Sequence, residues 1–77
     1  MHSTSIIKSI RAKKSLSQEN VANMMGISRQ TYNSLENDFL NNDFSLMFKL
    51  LKLLELNESE TDEFFNALKQ DYLSYLE

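Results

Sequence analysis

The stretch LSQENVANMMGISRQTYNSLEN, residues 16–37, decides how this chain folds. Ser17 is a good N-cap, because its hydroxyl can accept from a backbone N–H that the start of a helix leaves without a partner. The segment from Gln18 to Met25 then puts Val21, Ala22 and Met25 on one face of a helix. Gly26 stops it, since glycine enters the left-handed backbone conformation at a helix end without strain. After the short turn of Gly26 and Ile27, Ser28 caps a second helix running from Arg29 to about Asn37. Tyr32 and Leu35 form the inner face of that helix, while Arg29, Gln30, Asn33 and Ser34 make its outer face polar throughout.

The flanks are helical too. Ile6, Ile7 and Ile10 predict a helix from about Ser5 to Lys14, with Leu16 in the connection. Asp38 to Asp43 is rich in Asn and Asp and reads as a loop. Asp43 caps a helix over Phe44 to Leu54. Phe44, Met47, Phe48, Leu50, Leu51 and Leu54 make it apolar over most of its circumference, with Lys49 and Lys52 at the rim. Asn57 followed by Glu60 resembles a capping box and predicts a last helix reaching about Tyr75. The acids Glu58, Glu60, Asp62 and Glu63 sit in its first turns, where the helix dipole favours them. The expectation is one all-α domain of five helices over residues 1–77. A chain this short buries only about 60% of its unfolded surface, and dimerisation is a common remedy.

Composition excludes several classes of function. Without Cys there is no disulfide, no thiolate metal site and no Cys nucleophile. The only His, His2, sits where a frayed terminal side chain is expected. The helix dipole explains Glu58, Asp62 and Glu63 without acid–base chemistry, and no nucleophile or Gly-rich phosphate loop accompanies them. Neither an enzyme, a metal nor a cofactor is expected. No apolar run approaches the length of a membrane span, and Met1 to Ile7 lacks a signal-like stretch, so a cytoplasmic location is expected. The net charge of −3 is unevenly divided. Residues 1–36 carry Lys8, Arg11, Lys13, Lys14 and Arg29 against Glu19 and Glu36, whereas residues 37–77 carry three lysines against nine acids. Only the first half suits a phosphate backbone.

Two short helices joined at a Gly turn form the core of a helix-turn-helix, whose second helix presents its N-terminal residues to base edges in the major groove. The run from Leu16 to Asn37 resembles the Cro and phage-repressor type of helix-turn-helix, the XRE family. The segments IIKSIRAKK before it and FSLMFKLLKLLEL after it fit the family's first and fourth helices, so the resemblance spans Ile7 to Leu56. It implies a lambda-repressor-like DNA-binding domain with a long C-terminal helix. It further implies that Arg29, Gln30 and Ser34 read bases, helped by Asn33. Gln18, Ser28 and Asn37 would lie at DNA phosphates, and Arg11 and Glu36 would form an internal salt bridge. Arg29 suits guanine O6 and N7, and Gln30 suits adenine N6 and N7. The sequence departs from the family pattern at Ser15 and Asp38, where Gly is common, and at Phe39 and Leu40, where Lys or Arg is common. Either Phe39 and Leu40 pack on the core, or this loop does something other than touch DNA.

The last helix carries Phe64, Phe65, Leu68, Tyr72, Leu73, Tyr75 and Leu76, more apolar surface than a narrow core-facing stripe requires. It is expected to close the core and to form a two-fold dimer interface, with Phe65, Leu68, Tyr72 and Tyr75 as the interface candidates. The function expected is that of a sequence-specific regulator of transcription, a repressor acting as a homodimer on double-stranded DNA. The alternative is an interaction module on the same fold, such as an antitoxin or adaptor, that grips a protein partner through its acidic C-terminal half.

Overall fold

The computed structural model describes residues 2–76. Five helices follow in order: α1 Ser3–Lys13, α2 Gln18–Met25, α3 Arg29–Asn37, α4 Phe44–Leu54 and α5 Glu58–Leu76. Among the described residues there is no strand. α2 packs against α3 and α4, and α1 packs against α3 and α5. Their inner faces meet in one core, where Ile7, Val21, Tyr32, Leu35, Leu50 and Phe64 are completely buried. Each such apolar side chain contributes about 1.5–3 kcal/mol relative to leaving it in water.

The helix ends are built as the capping residues dictate. Ser17 Oγ accepts from Asn20 N–H at 3.0 Å, and Asn20 Oδ1 accepts from Ser17 N–H at 3.0 Å, closing a reciprocal box. Gly26 takes φ +72° at the end of α2, and a Cβ there would meet nothing within 4 Å. Its glycine is therefore required by the backbone angle and not by crowding. The Lys49 ammonium of α4 donates to the Met25 carbonyl at 3.1 Å and covers an orphan acceptor of α2. Asn57 and Glu60 exchange the two bonds of a capping box at the start of α5.

Four points of the structure bear on these expectations: three change them, and the third decides between the two alternatives for Phe39 and Leu40. First, α1 begins at Ser3 instead of about Ser5. Asp71 of α5 accepts from Ser3 N–H at 3.0 Å and from Ser3 Oγ–H at 2.6 Å, so a distant helix caps the first turn. Second, His2 is not frayed, because its Nδ1 lies 2.9 Å from Asp71 Oδ1. Third, the loop after α3 contributes to the core: Phe39 is buried and its ring meets Phe64 edge-on at 5.3 Å. Leu40 is half-buried. Fourth, α4 is less enclosed than its composition suggests, with Phe44 and Phe48 each more than half exposed. Ser15 adopts φ +58°, the left-handed angle for which the family commonly has Gly at this position.

Candidate nucleic-acid interface

α3 is held by one face and free on the other. Tyr32, Leu35 and Glu36 are fully buried, whereas Arg29, Gln30, Asn33, Ser34 and Asn37 are exposed on the opposite side. The 3.6-residue period separates the two sets, and it brings the base-reading candidates together on one surface. Gln18, at the start of α2, joins Arg29, Gln30 and Asn33 in lining a shallow open hollow. Arg29 makes no ion pair among the described residues, so its guanidinium is available.

The anchor of α3 is a carboxylate with no exposure at all. Glu36 Oε2 accepts from Arg11 Nε at 2.8 Å and from the Tyr32 hydroxyl. Its Oε1 accepts from Arg11 Nη2 at 3.1 Å and from Gln18 Nε2 at 3.1 Å. Four donors occupy the four acceptor sites of the carboxylate. Burial alone would push this carboxyl up. The Arg11, Tyr32 and Gln18 hydrogen bonds outweigh it and hold the group below the ordinary glutamate value, so it stays ionised. The bond to Glu36 raises the Arg11 guanidinium. Burial, and then Glu36, push the Tyr32 hydroxyl up, which keeps it a donor. Arg11 also donates through Nη1 to the Leu16 carbonyl at 2.8 Å, fastening the turn before α2. The expected Arg11–Glu36 pair is thus present, and it removes one acid from the surface near α3.

The remaining polar candidates are partly committed already. The Ser28 hydroxyl accepts from Thr31 N–H at 3.0 Å and donates to Thr31 Oγ1 at 2.8 Å. Asn37 Oδ1 accepts from the Lys8 ammonium at 3.0 Å. Gln18 Nε2 lies 3.1 Å from Asn33 Oδ1 as well as from Glu36. Behind α3 the loop is stitched to the helix end, because Asn42 Nδ2 donates to the Ser34 and Asp38 carbonyls. In the sequence Lys8 is only one of several basic residues of the first half, and Thr31 does not stand out. Thr31 follows Ser28 at the spacing of a capping pair, which is a local signal. Nothing local places Lys8 beside Asn37, which lies 29 residues away.

A sequence model of a family described as helix-turn-helix matches residues 7–60. The chain belongs to this Cro and phage-repressor type of helix-turn-helix family. As a member it is a DNA-binding helix-turn-helix regulator with the all-α, lambda-repressor-like fold. Comparison with curated proteins and with solved structures returns no match. Among the described residues no helix is long and apolar enough to cross a membrane.

Proposed function

We propose that this helix-turn-helix protein is a sequence-specific repressor that binds double-stranded DNA as a homodimer, with α3 in the major groove. One observation carries the reading: α3 is pinned by a saturated buried carboxylate while its polar face stays exposed. A recognition helix needs this division between an immobile back and a free front. Arg29, Gln30, Asn33 and Ser34 are the base readers. Phosphate oxygens only accept hydrogen bonds, so the residues that hold them must keep donors free. Asn37 does so, because its acceptor is taken by Lys8 and its Nδ2 is not. Lys8 itself and the Thr31 hydroxyl, whose oxygen already accepts from Ser28, supply further donors. Ser28 then acts as the cap that sets Thr31.

The C-terminal half supports the dimer. Phe65, Tyr72 and Tyr75 of α5 are 37%, 50% and 70% exposed, and Leu68 is half-buried beside them. The Phe48 ring of α4 lies 6.5 Å from Phe65 and extends the apolar surface onto a second helix. A second copy of the chain covers this surface and sets two recognition helices about 34 Å apart on one face of the duplex. Tyr72→Glu should give a folded monomer by sedimentation. A wild-type protein that is monomeric at high concentration and co-purifies with a different protein in fixed ratio would instead support the interaction-module reading. For DNA, Arg29→Ala should cost roughly 1–3 kcal/mol and relax the preference at one base pair in a gel-shift titration. An unchanged titration would overturn the assignment of α3.

A further inference from the structure

The hydrogen bonds behind α3 form a directed chain, and the direction reaches the recognition surface. Glu36 is an ionised acceptor with no proton to give. The Gln18 atom facing its Oε1 must therefore be the amide nitrogen and not the amide oxygen. That nitrogen carries two hydrogens. One goes to Glu36 and the other points at Asn33, 3.1 Å away. Asn33 can meet a donor only with its own oxygen. Its amide is thereby turned, with Oδ1 inward and Nδ2 facing out into the hollow beside Arg29 and Gln30.

The geometry points to Gln18 as a positioning residue that makes Asn33 a dedicated hydrogen-bond donor toward the bases. The inference rests on the DNA-reading role of α3 proposed above. It changes what Gln18 and Asn33 do within that role. Both N–H groups of the Gln18 side chain are spent inside the protein, and its remaining oxygen repels a phosphate. The Gln18 side chain therefore acts through Asn33 and not on the DNA backbone. Asn33 in turn cannot make the usual paired contact to adenine, which needs the amide oxygen to accept from N6–H. A donor fits an edge rich in acceptors. Guanine, with N7 and O6, is the best match, and cytosine, which shows only the N4–H donor, is the worst.

The test is competition binding of wild type, Gln18→Ala, Gln18→Lys, Asn33→Ala and the Gln18→Ala/Asn33→Ala double variant. The competitors are duplexes carrying each of the four bases at the position whose preference Asn33→Ala abolishes. Wild type should favour guanine over cytosine there by about tenfold, the size of one good contact. Gln18→Ala should reduce that ratio to about twofold and leave the preference at the Arg29 position intact, and the double variant should lose nothing more. Gln18→Lys, whose ammonium can donate to both Glu36 and Asn33, should restore the ratio even if added charge raises affinity for all sequences. Thermal melts confirm that each variant is folded. A Gln18→Ala protein that binds all duplexes more weakly by one common factor would overturn the proposal and return Gln18 to a phosphate contact. So would an unchanged ratio. If wild type prefers no sequence at all, the DNA-reading proposal itself fails. The chain of bonds is checked separately in free protein: Gln18 side-chain amide protons should exchange more slowly than those of exposed Gln30, and equal rates would contradict it.

Discussion

Two polar clamps hold α1, one toward each end, and they are built to different standards. Toward the C-terminal end, Arg11, itself largely covered, meets the fully buried Glu36 of α3, with every acceptor position on the carboxylate filled. At the N-terminal end, His2 and Ser3 meet Asp71 of α5 in a clamp whose His2 side is open to solvent. The first clamp sets the pose of α3. The second sets where the C-terminal helix lies along α1. A buried pair tolerates no missing member, whereas an exposed one can be rehydrated when broken. Damage should therefore be severe near α3 and mild near the start of α1.

The largest effect is expected from Arg11→Met, which leaves the Glu36 charge buried without its main partner. It should cost about 3–5 kcal/mol, and thermal denaturation would read it as a loss of much of the folded population. Adding Glu36→Leu to it should recover only part of the loss, since it removes the unpaired buried charge but leaves the Tyr32 hydroxyl without its acceptor. Acid comes next. The Glu36 and Asp71 carboxyls both lie below their ordinary values of 4.5 and 3.8, for Glu36 because hydrogen bonds outweigh burial and for Asp71 because Ser3 and His2 do so. Such groups bind protons less readily when folded, so the stability they contribute is complete above those ordinary values. It is lost as pH falls through the lower folded ones. The melting temperature should be flat down to about pH 5 and fall below pH 4. Asp71→Asn should keep most of that fall if Glu36 dominates it.

A smaller effect is expected from Asp71→Ala. It orphans the buried Ser3 N–H and hydroxyl and should cost about 1–2 kcal/mol by thermal melting, with exchange of the first amides of α1 speeded. Smallest is Ser15→Gly. Ser15 holds the left-handed turn that delivers the Leu16 carbonyl to Arg11. Glycine there should stabilise by up to about 1 kcal/mol, and a loss instead would mean that the Ser15 side chain has a partner role.

These two clamps also mark how far the sequence can be read. The helix-turn-helix was legible because Ser17, Gly26 and Ser28 act locally and because Val21, Tyr32 and Leu35 keep a helical period. Arg11 and Glu36 carry no local signal, and their pairing was reached only through the resemblance to phage repressors. The Asp71 clamp left no trace, since Ser3 and Asp71 are 68 residues apart and a single hydroxyl has no period. Phe39 was ambiguous because a loop rich in Asn and Asp conceals one aromatic that belongs to the core. Phe44 and Phe48 erred the other way: their apolar character is plain, but the chain leaves both more than half exposed, and no local pattern in the sequence announces that. At the recognition face, residue types were readable and donor directions were not, because directions follow from the buried charge behind them.

We propose above that α3, held from behind by Glu36, reads base sequence in pairs of half-sites. Selection of bound duplexes from a random pool by the wild-type protein tests it most directly. The selected pool should be enriched in a palindrome whose half-sites are centred about one helical turn apart, with guanine opposite Arg29 in each. A pool that remains random after selection, or one enriched for a single unpaired half-site, would contradict it.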